Sequence, residues 1–273
     1  MNQDFLDTMA RSSRARVREA RAERSEEELR AQIARVPAAP PLALSPKRFD
    51  LIAEVKLRSP AHGQLRGADD NVVERVAKYA AAGAAAISVL TEPSRFDGSL
   101  QHLETAVRSL AGRAPAMRKD FVVSPYQLLE ARAAGAGGAL VILRMLPRPD
   151  TEALLETARE LGLFLLLEAF DERDLELAGE LVSRRRADDQ WLVGLNCRDL
   201  VSLQVVPGRL EKLAYLLPHG LPRVAESGVA TPDDAARVAA AGYDMALVGS
   251  ALMQHLEPLT LVRAMLAAGR AAR

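Results

Sequence analysis

Charged side chains stand where this chain's apolar runs end. In Leu51-Ile52-Ala53-Glu54-Val55-Lys56, a short run of β-formers carries a glutamate and a lysine two residues apart. Positions i and i+2 of a strand share a face, so both charges leave one side of an otherwise buried element. An ion withdrawn from water costs several kcal/mol unless it is paired or used. The arrangement recurs: Lys119, Glu168, Asn196 and Glu226-Ser227 each close or follow a further apolar run. Lysines and glutamates gathered in a half-buried mouth shift one another's proton affinity, which is what general acid–base chemistry requires.

A second chemistry is suggested by small residues. Ser227-Gly228 and Gly249-Ser250 follow the last two apolar runs, the second pair just before a helical pattern. Small residues there let backbone N–H groups approach an anion at a helix N-terminus. A phosphate site is therefore expected. The four histidines (His62, His102, His219, His255) show no metal-ligand spacing. Cys197 reads as a small space-filling residue, and Arg184-Arg185-Arg186 as a solvated helix end.

Elements that would carry these groups alternate. Apolar runs at Ala85–Leu90, Ala116–Met117, Ala139–Leu143, Leu163–Leu167, Trp191–Leu195, Val224–Ala225 and Met245–Val248 follow the first. Helical segments such as Val72–Ala82, Tyr126–Ala134, Thr151–Leu161, Asp171–Val182, Asp233–Ala241 and Pro258–Ala268 lie between or after them. Strand–helix alternation points to parallel α/β architecture. Gly83, Gly135, Gly162 and Gly242 each end a helical segment, the place for a left-handed cap. They are spaced 52, 27 and 80 residues apart, multiples of a unit of about 26.5. Eight such units predict a (β/α)8 TIM barrel, in which function gathers at the C-terminal ends of the strands. The rival, a doubly wound sheet, often carries a glycine-rich turn after strand 1. Here Leu57-Arg58-Ser59-Pro60 stands there instead.

Residues 1–48 read as an N-terminal helical extension and connector, and residues 49–273 as the barrel, one domain overall. Ser25-Glu26-Glu27-Glu28 has the form of a capping box, followed by Leu29, Ile33 and Val36 at helical spacing. An earlier helix is expected over Phe5 to Ala22. Both are read as surface helices because their faces are charged. Pro37, Pro40, Pro41 and Pro46 mark the connector. In the 273-residue chain, Lys+Arg and Asp+Glu both number 36, which argues against a nucleic-acid footprint or a polybasic membrane patch. One cysteine rules out an internal disulfide and suits a reducing cytoplasm. Neither a membrane span nor a signal core is legible.

Taken together, these motifs resemble indole-3-glycerol-phosphate synthase of tryptophan biosynthesis. The resemblance is carried by Ile52-Ala53-Glu54-Val55-Lys56 with Ser59-Pro60, Ser88-Val89-Leu90-Thr91-Glu92, and Phe96-Asp97-Gly98-Ser99. It continues through Arg118-Lys119-Asp120-Phe121, Pro125-Tyr126-Gln127 with Glu130-Ala131-Arg132, Glu168, and Asn196 with Arg198-Asp199-Leu200. Ala225-Glu226-Ser227-Gly228 and Val248-Gly249-Ser250 with Leu252-Met253 complete it, so it spans residue 4 or so to the end.

The resemblance implies a carboxy-lyase that closes the pyrrole ring of 1-(2-carboxyphenylamino)-1-deoxyribulose 5-phosphate with loss of CO2 and water. It implies Lys119 as general acid of ring closure, and Lys56 as the holder of the substrate carboxylate that shares in later proton transfer. Glu168 would assist dehydration as acid or base. Glu54 would orient the lysines or act as base, and Asn196 and Glu226 would fix substrate hydroxyls or the lysines. Ser59, Arg198, Ser227, Gly228, Gly249 and Ser250 match substrate- and phosphate-binding positions, and Phe96, Phe121 and Leu200 would flank the aromatic ring. It implies an anionic sugar phosphate carrying anthranilate as the partner and no metal or organic cofactor, with the chain expected to be a monomer or weak homodimer. Two departures stand out: the usual Lys-x-x-Ser-Pro-Ser-x-Gly loop has Ala61 and His62, and Phe170 stands where a polar residue is common. Alternatives are the sugar-phosphate isomerase one step earlier, which needs a cysteine–aspartate pair, and a silent barrel kept for binding or assembly.

Overall fold

The structure is a computed structural model that describes residues 3–46, 49–59, 63–64 and 72–273, with the backbone alone at positions 3, 4 and 59. Eight strands carry the barrel: β1 (Asp50–Val55), β2 (Ala86–Leu90), β3 (Ala116–Lys119), β4 (Gly138–Ile142), β5 (Phe164–Ala169), β6 (Trp191–Asn196), β7 (Arg223–Glu226) and β8 (Met245–Val248). Every neighbouring pair is parallel, and β1 bonds to both β2 and β8, so the sheet closes into the expected (β/α)8 barrel. Closure leaves no free edge, and both faces of each strand are covered.

Period-two alternation divides the side chains between two cores. Inward-pointing Ile52, Met117, Leu140, Leu166, Leu192 and Val224 pack together inside the barrel. Outward-pointing Leu51, Ala53, Val55, Ile87, Val141 and Leu165 meet the surrounding helices. Continuous apolar runs are the consequence, because a strand buried on both faces has no solvent side to mark with polar residues.

Gly83, Gly135, Gly162 and Gly242 all have positive φ (98°, 87°, 65° and 99°), the left-handed ends that the helix spacing predicts. Two helical elements missed in the sequence lie after β2: a turn at Pro93–Phe96 and a full helix at Leu100–Leu110. Glu92 caps the first, accepting from the backbone N–H of Ser94 and Arg95.

At the N-terminus, α1 spans Gln3–Glu23 and α2 spans Glu26–Ile33. Ser25 and Glu28 form the expected capping box, but α2 ends at Ile33 and leaves Val36 beyond it. The reading of α1 as a surface helix is corrected. It buries Leu6, Met9, Ala10, Ser13 and Val17, a stripe along one face that packs on the barrel. The stripe hides in the sequence because two of its members, Ala10 and Ser13, are small or polar. Ser13 Oγ donates to the Phe121 carbonyl at 2.5 Å. Tyr126 Oη reaches the carbonyl oxygens of Ala20 and Arg24 at 2.9 and 2.8 Å. Among the described residues, no helix is long and apolar enough to cross a membrane.

Candidate active site

Inward alternation carries past the apolar layer and delivers polar groups to the strand ends. On β1 it runs Ile52, Glu54, Lys56; on β3, Met117, Lys119; on β5, Phe164, Leu166, Glu168; on β6, Leu192, Gly194, Asn196; on β7, Val224, Glu226. Lys119 sits at the centre of this mouth. Its Nζ lies 3.1 Å from Glu226 Oε2, 3.7 Å from Glu168 Oε1 and 3.9 Å from Glu54 Oε2. Lys56 Nζ pairs with Glu54 Oε1 at 2.8 Å. Asn196 Nδ2 donates to Glu168 Oε1 at 2.7 Å. Both ammonium groups thus share Glu54, and five strands converge on one cup.

Burial makes these contacts strong. Glu54, Glu168 and Glu226 are 2%, 3% and 1% exposed. For Lys119, burial alone would lower the ammonium's proton affinity; the charges of Glu226, Glu168 and Glu54 outweigh it and raise it well above the ordinary lysine value. For Glu54, burial alone would raise the carboxyl, and Lys56 and Lys119 outweigh that and hold it below its usual value. Glu226 goes the other way. Burial and the neighbouring Glu168 charge push it well above the carboxylate range despite Lys119.

Two glycines make the crowding possible. A Cβ on Gly194 would overlap Glu226 Oε1 and lie 3.0 Å from Leu166 Cδ1. A Cβ on Gly249 would overlap Glu54 Oε1 and lie 2.9 Å from Lys56 Nζ. Gly249 therefore makes room for the Glu54–Lys56 pair as well as standing at the expected anion-binding turn. Ser227 and Gly228 both adopt left-handed φ, 66° and 68°. For serine this is an uncommon conformation that turns the chain sharply at the rim.

A cavity of about 300 Å3 opens over these groups. Expected residues Phe96, Phe121, Arg198, Leu200, Ser227, Gly228, Gly249 and Ser250 all line it. Phe96 and Phe121 lie with ring centroids 6.4 Å apart. The backbone N–H of Arg198 donates to Asn196 Oδ1 at 3.0 Å, and its guanidinium bonds the Leu203 carbonyl. Of Ser59 only the backbone is described, paired with Gly63 in a two-residue antiparallel bridge. Ala61 and His62 lie outside the described residues.

Several contributors escaped the sequence reading. Phe5 and Leu6 of α1 line the cavity, and Phe5 meets Phe121 edge-on at 5.9 Å. Asp120, which also lines the cavity, accepts from Arg16 at 3.0 and 2.7 Å, from Arg118 at 3.0 Å and from Thr91 Oγ1 at 2.7 Å. Burial alone would raise that carboxyl; Arg118 and Arg16 hold it well below the usual range instead. A signal was present in Arg118-Lys119-Asp120. If Lys119 faces the cup, strand alternation sends both neighbours outward, where two buried charges must pair. Phe170 is 4% exposed and lines the cavity, with the Arg144 guanidinium 5.2 Å from its ring centroid. Arg144 is held in turn by Asp171 and Asp174.

Cys197 is buried, and burial raises its thiol's proton affinity. It packs beside Gly228, where a Cβ would lie 2.9 Å from its Sγ. It is absent from the cavity lining, which removes the cysteine that the isomerase alternative needs. Among the described residues, no group of three or more His, Cys, Asp or Glu side chains is placed to hold a metal.

A family model described as indole-3-glycerol phosphate synthase matches residues 6–265. An indole-3-glycerol phosphate synthase of Nocardioides sp. is 46% identical over 215 residues, covering 79% of each chain. One from Streptomyces griseus is 40% identical over 266 residues, covering 97% of this chain and 95% of the relative. Among solved structures, a thiamine phosphate pyrophosphorylase from Pyrococcus furiosus superposes with a TM-score of 0.58 at 17% identity. It covers 83% of this chain and 98% of its own, a likeness of fold alone. With that family match and that identity across nearly its whole length, the chain belongs to the indole-3-glycerol phosphate synthase family.

Proposed function

We propose that this cup closes the pyrrole ring of 1-(2-carboxyphenylamino)-1-deoxyribulose 5-phosphate, with loss of CO2 and water, and that Lys119 is its general acid. The observation that carries the reading is one ammonium held by three buried carboxylates beneath an aromatic wall. Ring closure builds negative charge on the substrate's carbonyl oxygen. A buried ammonium stabilises that charge and then protonates it.

The other roles follow from charge and place. Lys56, at the rim and paired with Glu54, takes the substrate carboxylate. Glu54 orients both lysines and serves as base for the methylene proton. Glu168, held by Asn196, protonates the leaving hydroxyl. Phe96, Phe121 and Leu200 flank the anthranilate ring. Arg198, Ser227, Gly228, Gly249 and Ser250, with Ser59 from the loop after β1, take the sugar phosphate.

One chain carries the whole constellation, so a monomer or weak homodimer suffices, with no nucleic-acid partner. Residues 1–48 and 49–273 work as one domain, since α1 supplies Phe5 and Leu6 to the mouth. Biosynthetic work in the cytoplasm suits a chain with a single buried thiol. The test is purified protein with the carboxyphenylamino sugar phosphate, followed by the fluorescence of indole glycerol phosphate. Appearance of that fluorescence supports the reading, and none at any substrate concentration overturns it.

A further inference from the structure

The charges of the cup do not balance if every carboxyl is ionised. Among the groups in ion-pair contact with one another, Lys56 and Lys119 bring two positive charges, and Glu54, Glu168 and Glu226 bring three negative ones in nearly solvent-free positions; Arg198 also lines the cavity, but its guanidinium bonds the Leu203 carbonyl. Uncompensated buried charge is expensive, and a carboxyl relieves it by keeping its proton.

Local contacts indicate where that proton sits. Glu54 Oε1 takes Lys56; its Oε2 is also buried without a hydrogen-bond partner, but it stands 3.9 Å from the Lys119 ammonium, so both lysines face this carboxyl. Glu168 Oε1 is taken by Asn196 and faces Lys119. Glu226 gives Oε2 to Lys119, but its Oε1 is buried with no hydrogen-bond partner. The missing side chain of Gly194 lets Glu226 fold over β6, and Gly194 is the register partner of Glu168. Glu226 Oε2 and Glu168 Oε1 lie 3.1 and 3.7 Å from the same Lys119 Nζ, so the two carboxyl groups flank one ammonium. Lys119 from β3 contacts Glu226 and Asn196 from β6 is its register partner, while Glu168 from β5 and Glu54 from β1 reach the same Lys119 ammonium. Leu247 is its neighbour on β8. Arg198, the further cation of this cavity wall, is turned to the Leu203 carbonyl, and among the described residues no ion pair joins it to Glu226.

We propose that Glu226 and Glu168 hold one proton between them in the resting cup, and that this proton is the one the reaction consumes when water leaves. The inference deepens the proposed function and rests on that reaction occurring here. The substrate enters as a carboxylate and leaves as CO2, indole product and water, so each turnover takes up one proton. At ring closure the aromatic carbon bonds the carbonyl carbon, and Lys119 transfers its proton to the carbonyl oxygen. The carbon–carboxylate bond then breaks, its electron pair restores the aromatic ring, and CO2 departs. Glu168 gives the shared proton to the new hydroxyl as the carbon–oxygen bond breaks and the ring nitrogen's lone pair moves in. The adjacent methylene proton goes to Glu54 and on to Lys119, 3.9 Å away, which restores the ammonium. The net uptake is the shared proton, refilled from solvent through Glu226.

The experiment reads ligand-free protein by infrared difference spectroscopy at neutral pH, then pH–rate profiles. Wild type is expected to show a protonated-carboxyl C=O band that shifts in D2O, is lost in Glu226→Gln and moves in Glu168→Gln. Glu226→Gln keeps shape and neutrality, so KM is expected to change by less than about threefold. Loss of a general-acid route lowers kcat by about 10²-fold or more. The alkaline limb of the wild-type kcat profile, where the shared proton is lost, is expected to vanish in that variant. No such band, a band indifferent to both substitutions, or an unchanged alkaline limb overturns the shared proton. The infrared arm needs no turnover, so a band without indole product overturns the assigned reaction instead.

Discussion

Gly194 and Glu226 interlock across β6 and β7: the Glu226 carboxyl occupies the space that any side chain at position 194 would fill. Strand alternation points residue 194 into the barrel, one layer below Asn196. Gly194→Ala must therefore displace the Glu226 carboxyl from Lys119 or push into Leu166. Overpacking of this kind costs about 1–3 kcal/mol. The expected outcome is that much loss of stability in urea unfolding, together with at least a tenfold fall in kcat/KM, about 1.4 kcal/mol of transition-state stabilisation. Unchanged kinetics would show that Glu226 need not hold its observed position.

Lys119→Ala is expected to lower turnover by about 10²–10⁴-fold, the usual worth of a positioned proton donor. The barrel should persist, since its two apolar cores do not include this side chain. Circular dichroism checks the fold and indole fluorescence the turnover. The ammonium's raised proton affinity gives this contact a defined pH range. Its contribution to stability is fully present below the ordinary lysine pKa and is lost only as pH rises through the higher folded value. A wild-type advantage over Lys119→Ala that is constant from about pH 7 to 9 and shrinks at more alkaline pH fits this sign.

Arg16→Met removes two charge-assisted hydrogen bonds to Asp120, next in sequence to Lys119. Bonds to charged groups contribute about 1.5–3 kcal/mol each in net terms. Retained pairing with Arg118 puts the expected loss near the value of one bond, read by urea titration. Asp120 is held below its normal range, so its pairing stabilises the fold above the usual carboxylate pKa. That stabilisation fades as pH falls through the depressed value. The gap between wild type and Arg16→Met is therefore expected to be widest near neutrality and to narrow in strong acid. A gap that widens on acidification would contradict the assignment.

Inorganic phosphate or glycerol phosphate is expected to raise the melting temperature. Binding at about 100-fold above Kd adds about 2.7 kcal/mol to stability. Gly249→Ala, which drives a methyl group into the Glu54–Lys56 pair beside Ser250, should reduce the shift. No thermal shift at millimolar phosphate would count against an anion site at these turns.

The eight-unit architecture was readable in the chain because its causes are local. Apolar runs mark strands buried on both faces, and Gly83, Gly135, Gly162 and Gly242 mark helix ends whose left-handed φ an ordinary side chain resists. Lys56, Lys119, Glu168 and Glu226 were readable for a related reason: a charge ending an apolar run conflicts with burial, and the conflict is visible without coordinates. Phe5, Leu6 and Arg16 were not, because a helix with a charged face looks the same in sequence whether it faces water or roofs a mouth. Closure of the sheet decided the rest. It set Lys119 within 3.9 Å of three carboxylates from strands far apart in the chain, and it set Glu226 against Gly194. Alternation tells each residue which way to face, but only the closed barrel determines what it faces, and that sets the direction in which each carboxyl's proton affinity moves.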